Sequence, residues 1–481
     1  MGLKGGGTGA KAQFKEKCRA DFRTFDTLID ARNAIIRQDE NDLTLPKKRE
    51  QTAVFLDGNV IMMTVPEAVG TIEGFATIIF NQLRDALRAG RTVIVAFDEP
   101  AYMTNAKREE QARRDASRKA RTITCSTDMA SCPLTPEFTA AEVDALGDVH
   151  ALKNDRKCRS RLYDEVMKRV FERLSIIMKQ WVDEGGNPPS TLILDGVEPR
   201  GCDRPVGEKR TTTMIGTNPE AVEAFRRETP IGEGDIKLIA LENRLRELVD
   251  TNPAFKDYKL ALTSTVDTDS FMTMMLDVSK RRVNPYKGTL HSLFCMREAP
   301  SKREREWDPE VKATYLCCDV ALLEAHVQHH LWQNAKAKPT PEQCLNAMLA
   351  FTSATAICGC DFTLDGLKGS RFDHFWESLP DFVVDEPAAL QKFGAVLTTT
   401  EPAVARTACA GLYRVCITAS KHMESKPRYK KQAQSVFEVP DNMLTRAVWS
   451  AAYWGQNEFA ADSEWGFGPV LGREEVAPVS G

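Results

Sequence analysis

No segment of this 481-residue sequence is apolar over the roughly 20 residues that a membrane-spanning helix requires. The first residues are rich in glycine and lysine, and they lack the apolar segment of a secretion signal. We therefore expect no membrane partner and an intracellular location.

The sequence also lacks a Cys-x-x-Cys pair, although it contains 13 cysteines. Its closest groups are Cys317-Cys318 and Cys358-Gly359-Cys360, and neither has the spacing of a zinc knuckle. An odd number of cysteines without a secretion signal indicates reduced thiols rather than a disulfide framework.

Positive charge is not in excess, because 64 lysines and arginines stand against 68 aspartates and glutamates, for a net charge of −4. The molecule as a whole is therefore not a basic nucleic-acid binder, and any contact with phosphates has to come from a local cluster. The hydrophobic content of 42% is ordinary for a chain with a large core.

Two short apolar runs that end on an acid stand near the start of the chain. Residues 53–57 and 92–98 are predicted as buried strands that end at Asp57 and Asp98, and the apolar spacing of residues 67–88 predicts a helix between them. A strand, a long helix and a second strand indicate a parallel sheet, in which binding sites form at the carboxyl ends of the strands.

The remaining strands and helices are predicted from the spacing of apolar residues in the same way. Strands are expected at residues 191–195 and 260–264, a broken helix at 12–37, helices at 160–182, 238–248, 311–333, 341–357, 387–422 and 441–454, and a polar insertion at 201–219.

Two acidic pairs flank the helix at 238–248 and the strand at 260–264. They are Glu233 with Asp235, and Asp267 with Asp269. One such pair alone is an ordinary solvated loop, but four carboxylates delivered by consecutive elements repel one another unless cations neutralise them. Oxygen-only ligands suit Mg²⁺ or Mn²⁺, so we expect a divalent metal site of this kind.

A basic segment follows Asp98 directly. It contains Lys107, Arg108, Arg113, Arg114 and Arg118. It is either a solvated helix with internal ion pairs or a group that holds phosphates beside the metals. Lys237, just after the first acidic pair, is either a phosphate ligand or an ion-pair partner.

Histidine is scarce, but three of the seven histidines, His326, His329 and His330, stand close together on one predicted helix. Such a group could bind a metal, but neither zinc-ligand cysteines nor a His-Glu-x-x-His pattern accompanies it. We therefore expect these side chains to lie on the surface or to pack.

Several of these segments, in this order, resemble the metal-dependent 5′ nucleases with a PIN-like fold, which include flap endonucleases, XPG relatives and 5′-3′ exoribonucleases. The residues that carry the resemblance are Met1-Gly2-Leu3-Lys4-Gly5, Phe55-Leu56-Asp57-Gly58-Asn59, the strand ending at Asp98-Glu99-Pro100 with the basic segment after it, Gly232-Glu233-Gly234-Asp235-Ile236-Lys237, Asp267-Thr268-Asp269, Cys358-Gly359-Cys360-Asp361-Phe362 and Gly366-Leu367-Lys368-Gly369.

The resemblance implies an α/β fold with a mostly parallel central sheet flanked by helices, a helical arch or insertion and a C-terminal helical region. In this interpretation, residues 1–121 and 191–386 form the nuclease core, with a helix-turn-helix-like turn in the second part. Residues 122–190 form the arch, 387–459 the C-terminal helices and 460–481 a disordered tail.

The resemblance also implies two Mg²⁺ or Mn²⁺ ions and a mechanism for cutting phosphodiester bonds, in which three basic residues act on the scissile phosphate. The expected metal ligands are Asp57, Asp98, Glu233, Asp235, Asp267, Asp269 and Asp361, and the basic residues are Lys107, Arg113 and Arg114. Nucleic-acid contacts are expected from Gly2, Lys107, Arg108, Arg113, Arg114, Arg118, Lys237, Gly366, Lys368 and Gly369.

The expected partner is nucleic acid, and DNA is favoured because the turn at 366–369 is similar to one that grips duplex DNA. RNA stays open, because the Gly-Glu-Gly-Asp form is similar to that of the exoribonucleases, and so does a catalytically silent relative. We expect a monomer, in the nucleus or at another cytosolic site of nucleic-acid processing, and find no clear sliding-clamp peptide.

Overall fold

A computed structural model gives the architecture of the protein. It describes residues 10–38, 49–66, 69, 71–97, 156–184, 190–195, 212–216, 234–266, 269–285, 290–298, 312–360, 363, 366–367, 370–394, 402–426 and 441–455.

Within these residues, eight strands form one mostly parallel sheet in the order β1-β8-β7-β6-β2-β3-β4-β5. Strands β2, β3, β4, β6 and β7 pair in parallel, whereas β5 and β8 run antiparallel to their neighbours and β1 pairs antiparallel to β8. The strands are β1 (Arg23–Phe25), β2 (Thr52–Asp57), β3 (Thr92–Ala96), β4 (Thr191–Asp195), β5 (Thr212–Gly216), β6 (Leu260–Thr265), β7 (His291–Glu298) and β8 (Thr314–Asp319).

The α-helices connect these strands and extend the chain beyond them. They are α1 (Ala10–Lys17), α2 (Leu28–Gln38), α3 (Gly58–Met63), α4 (Ile72–Ala89), α5 (Arg156–Asp183), α6 (Gly234–Thr251), α7 (Asp269–Val283), α8 (Val320–Leu331), α9 (Pro341–Ile357), α10 (Phe372–Asp385), α11 (Pro387–Gln391), α12 (Pro402–Glu424) and α13 (Asp441–Trp454).

Helices cover both faces of the sheet, which explains why its central strands β2, β3 and β6 are buried at every position rather than at alternate ones. Val54 and Leu56 of β2 pack on one face with α2, α4 and α5, and Ala53 and Phe55 pack on the other face against α6. Beside α6, one continuous core contains side chains from α1 and from α7 to α13. The C-terminal helices therefore share a core with residues near the start of the chain.

The predicted α/β class with a mostly parallel sheet is confirmed, and the predicted strands at 53–57, 92–98, 191–195 and 260–264 are β2, β3, β4 and β6. The prediction of one helix over residues 311–333 is wrong, because 314–319 form β8. Asp319 ends this strand and caps α8, with its side chain accepting hydrogen bonds from the backbone N–H groups of Ala321 and Leu322.

Two further predictions are corrected because each predicted segment contains a strand. The broken helix at 12–37 contains the three-residue strand β1, and the polar insertion at 201–219 contains β5. Both strands lie at an edge of the sheet. Edge strands are often short or polar, so no apolar run in the sequence identifies them.

In the part of the chain that the structure describes, no helix is both long enough and apolar enough to cross a membrane.

Candidate functional site

The strand order reverses between β2 and β6, which are neighbours in the sheet. From β2 the chain moves outward through β3 and β4 with helices on one face. It then returns to β6 on the other side of β2 and continues to β7 with helices on the opposite face. In open α/β sheets, the crevice at such a switch point, beside the carboxyl ends of the strands, is the usual ligand site.

Asp57 lies at this point as the last residue of β2, with 7% of its surface exposed. Its Oδ1 atom accepts a hydrogen bond from the backbone N–H of Val60 at 3.1 Å and thereby caps α3. Its Oδ2 atom accepts a hydrogen bond from the hydroxyl of Thr265, the last residue of β6, at 3.2 Å. The carboxylate therefore joins the ends of the two strands that form the switch point.

The end of β3 is packed tightly against the residue that follows Asp57. A Cβ atom on Gly58 would lie 2.6 Å from the ring of Phe97, so only glycine fits there without moving the ring. The carbonyl oxygen of Phe97 accepts a hydrogen bond from Nζ of Lys237 at 2.6 Å. Since Lys237 lies in the first turn of α6, the start of this helix meets the end of β3.

Asp269 is the first residue of α7 and is 4% exposed. A carboxylate at a helix N-terminus is favoured by the partial positive charge of that end. Asp269 follows Thr265 by four residues, so its Cα atom lies no farther than about 14 Å from the end of β6. The start of α6 and the ends of β2, β3 and β6 thus meet at one edge of the sheet, and the chain reaches the start of α7 from this same edge.

The turn after α9 is compact and requires glycine. Gly366 has a φ angle of +68°, and a Cβ atom there would lie 2.6 Å from the backbone nitrogen of Gly359. Leu367 donates its backbone N–H to the carbonyl of Ile357 at 2.8 Å, which folds the turn back onto the helix. Gly366 therefore has a structural role in this turn, which does not depend on the nucleic-acid contact expected for it.

The start of α7 packs beside the second half of α9. The ring of Phe14 contacts Phe271 near the start of α7 with a centroid distance of 5.9 Å, and contacts Phe351 in the later part of α9 with a distance of 6.3 Å.

The end of α7 lies beside the start of α9. The side chain of Gln328 connects them, because it donates to the hydroxyl of Ser279 at 3.3 Å and to the carbonyl of Cys344 at 2.8 Å. Ser279 lies late in α7 and Cys344 early in α9, so the two helices run antiparallel. The carboxyl end of α9, from which the chain continues to residue 361, therefore points toward the start of α7.

The predicted site residues are described to different extents. Asp57, Asp269 and Lys237 lie at the carboxyl edge, and the backbone of Asp235 lies in the first turn of α6. Lys237 is fully buried, which favours a supporting role at the end of β3 over direct contact with a substrate. The predicted residues Gly2, Asp98, Lys107, Arg108, Arg113, Arg114, Arg118, Glu233, Asp267, Asp361, Lys368 and Gly369 lie outside the described residues.

A buried polar network fixes α6 against the strands that lead to this edge. Arg246 bonds to the carboxylate of Glu242, the hydroxyl of Ser292 and, at 2.7 Å, the carbonyl of Leu290. Glu242 also accepts a hydrogen bond from the hydroxyl of Thr263 at 3.0 Å. Burial lowers the pKa of Arg246, while the adjacent Glu242 favours its charged form. The network sets the position of α6 relative to β6 and β7.

A second group of possible metal ligands was missed by the sequence analysis. One donor atom each from Cys18, Asp21 and His326 lies within 4.8 Å of the others, so the three side chains could hold a metal ion. Burial raises the pKa of the Cys18 thiol, with a smaller contribution from Asp21, and the thiol is therefore protonated without a metal. The spacing Cys-x-x-Asp is not a recognised metal motif, and the histidine lies far away in sequence.

These observations define an α/β protein with a mostly parallel sheet and buried carboxylates at the carboxyl edge of its switch point. The chain matches none of the family models against which it was scanned, and a search of curated proteins finds no match. Function has to be inferred from the chemistry of the site, because a fold alone does not define it.

Proposed function

We propose that this protein is a divalent-metal-dependent 5′ nuclease with a PIN-like fold, of the flap endonuclease and XPG type, which hydrolyses phosphodiester bonds in DNA. The observation that carries the proposal is the hydrogen bond from Thr265 to Asp57, which joins the ends of β2 and β6 at the switch point. Asp269 comes four residues after the end of β6, so a second buried carboxylate follows from the same edge of the sheet.

The donor chemistry of this edge fits Mg²⁺ or Mn²⁺. Asp57 and Asp269 offer carboxylate oxygens, which are the ligands that these hard cations prefer. Burying carboxylates is costly without hydrogen bonds or opposite charge, and a cation shared between them offsets that cost. We propose that these two residues hold two ions together with Asp98, Glu233, Asp235, Asp267 and Asp361.

The ions would supply an activated water and a stabilised leaving oxygen for an in-line displacement at phosphorus. The protein's own groups do the positioning. Thr265 and the N–H of Val60 hold the carboxylate of Asp57 in one orientation. Lys237 holds the end of β3, from which the chain continues to Asp98. Lys107, Arg113 and Arg114 are proposed to orient the scissile phosphate and to offset its developing charge.

The first test measures cleavage of 5′-flap DNA by the purified chain with Mg²⁺, with Mn²⁺ and with excess chelator. We expect cleavage only with a metal, and a loss of at least about 100-fold in Asp57→Asn and Asp269→Asn, because removing a ligand costs at least as much as removing a group that orients one. Asparagine at position 57 can still cap α3, and the lost charge at the start of α7 costs about 1 kcal/mol, so both variants should stay folded.

Asp257→Asn is the matched control, because this exposed aspartate precedes β6 at the opposite end of the same strand. It should retain full activity. Metal-independent cleavage, or full activity in both site variants, would remove the carboxyl edge as the catalytic site. A folded chain that never cuts would indicate a silent relative.

The same assay with matched DNA and RNA flaps separates the two substrate classes. We expect DNA to be cut faster. A preference for RNA would instead favour the exoribonuclease interpretation, to which the Gly232-Glu233-Gly234-Asp235 segment is similar.

A further inference from the structure

Cys18 and Asp21 are brought together by one turn of 3₁₀-helix that follows α1. The backbone N–H of Asp21 donates to the carbonyl of Cys18 at 2.9 Å, which closes the turn. In a 3₁₀ turn, side chains three residues apart lie above one another. The thiol and the carboxylate therefore face the same side of the chain.

His326 approaches this turn from α8. Its Nδ1 atom lies 2.5 Å from Oδ2 of Asp21, so the two atoms share a hydrogen bond. Cys18 is fully buried, whereas the side chains of His326 and Asp21 are 34% and 17% exposed. The cluster is thus shielded from water at Cys18 and reached by water at Asp21 and His326.

We propose that Cys18, Asp21 and His326 form a Zn²⁺ site that fastens the end of α1 to α8. Sulfur, nitrogen and oxygen donors together suit zinc, whereas Mg²⁺ and Mn²⁺ prefer oxygen alone. A thiolate and a carboxylate together balance the charge of a divalent ion, which lowers the cost of burying it. This site is distinct from the carboxyl edge and is independent of nuclease activity.

The three donors need only a small movement to bind. Zinc bonds of about 2.0–2.3 Å in a tetrahedron place neighbouring ligand atoms about 3.3–3.7 Å apart. The present donor atoms lie within 4.8 Å of one another, and the histidine–aspartate pair opens by about 1 Å when an ion enters. On binding, the thiol proton is released to water, the hydrogen on Nδ1 moves to Nε2, and a water molecule takes the fourth position.

The test uses the full-length chain, stripped with a chelator and dialysed, and then titrated with Co²⁺ and with Zn²⁺. We expect one ion per chain to bind with a sulfur-to-cobalt charge-transfer band in the near ultraviolet, which ions at the all-oxygen carboxyl edge do not give. Cys18→Ser should abolish the band, and His326→Asn should weaken zinc affinity at least about 100-fold. Bound zinc should also raise the melting temperature of the wild-type chain, because it binds only the folded state.

Matched controls come from the same helix and from a partly buried thiol elsewhere in the chain. His329→Asn changes an exposed histidine of α8, and Cys344→Ser changes a cysteine outside the cluster, so both should bind metal as the wild type does. Asp57→Asn should also bind zinc normally, which keeps this test apart from that of the nuclease site.

Far-UV circular dichroism checks that each variant is folded. If Cys18→Ser fails to fold, Asp21→Asn, whose side chain is partly exposed, serves in its place and should weaken zinc binding to a similar extent. The proposal is overturned if the folded wild-type chain retains no zinc or cobalt at micromolar concentration, or if affinity and spectrum are unchanged in the ligand variants.

Discussion

The three histidines of α8 differ in their surroundings although they are close in sequence. His330 stacks on Trp376 with ring centroids 4.0 Å apart and an interplanar angle of 7°, and its Nε2 donates to the Trp376 carbonyl at 2.8 Å. His329 is exposed, whereas His326 meets Asp21. The expectation of surface or packing roles is confirmed for His329 and His330, and His326 is the one that reaches other possible ligands.

His330 should make stability depend on pH. Burial lowers its pKa, and the hydrogen bond to the Trp376 carbonyl offsets this only in part. The unfolded chain therefore binds the proton more readily, so stability is complete above about pH 6.5 and falls as the pH drops toward the lower folded pKa. We expect a loss of no more than about 1 kcal/mol, because the ring is only half buried and partly screened.

Urea unfolding at pH 7.5 and at pH 5 measures this loss. His330→Phe keeps a ring against Trp376 but cannot titrate, so its pH dependence should be smaller than that of the wild type. His329→Gln should leave the dependence unchanged. An identical pH dependence in wild type and His330→Phe would show that other groups cause it.

At the scale of elements, α6 carries two ion pairs of similar sequence spacing and very different burial. Arg246 and Glu242 are 2% and 3% exposed, whereas Arg244 and Glu247 are 21% and 41% exposed. A charge left without its partner in the interior costs several kcal/mol, while an exposed pair contributes little. Comparing the two pairs therefore shows how much more a buried ion pair than an exposed one contributes to the stability of this helix on the sheet.

We expect Arg246→Met to lower the free energy of unfolding by about 3–5 kcal/mol, because it leaves the Glu242 carboxylate buried. Adding Glu242→Gln should recover part of this loss, and Arg244→Met should cost less than about 1 kcal/mol. Denaturant unfolding followed by circular dichroism measures all three. Equal costs for Arg246→Met and Arg244→Met would contradict the role assigned to the buried network.

The elements that could be predicted from the sequence are those whose residues are apolar on both faces of the sheet. The run from Ala53 to Leu56 marks β2 because helices cover it on both sides. The sequence predicts a helix over β8 because the residues from Thr314 to Asp319 continue without a break into the apolar pattern of α8. The signal that separates them is the cap at Asp319, which is local and easily missed.

Parts of the candidate site could be predicted for a different reason. Asp57 ends one predicted strand and Asp269 comes shortly after another. The carboxyl ends of parallel strands share an edge, so the common location of the two residues follows from the strand prediction. The Cys18, Asp21 and His326 cluster could not be predicted in this way. Asp21 and His326 are 305 positions apart, and only the packing of α8 beside the end of α1 brings them together.

At the scale of the whole molecule, the largest core extends from Phe14 in α1 to Trp454 in α13. Trp449 and Trp454 are among its largest fully buried side chains. Loss of one such side chain costs about 3–5 kcal/mol, and the stability of a typical domain is only about 5–15 kcal/mol. We therefore expect the C-terminal helices to be required for the fold.

A chain that ends after residue 394 lacks α12 and α13 and should be insoluble or lose cooperative thermal unfolding. A chain that ends after residue 455 keeps every described contact and should melt as the full-length protein does. Soluble yield and near-UV circular dichroism distinguish the two. A cooperatively folded 1–394 fragment would show instead that the C-terminal helices form a separate domain.

The shared core also bears on how the protein is made. At roughly 5–20 residues per second, a ribosome needs about 20–90 s to extend from α1 to the end of α13. Until α12 and α13 have been made, the apolar side chains of α1 and α7 lack the part of their shared core that these two helices supply. The nascent chain thus exposes apolar surface for much of its synthesis. Its production in cells should therefore depend on chaperones that bind this surface until the last helix has been made.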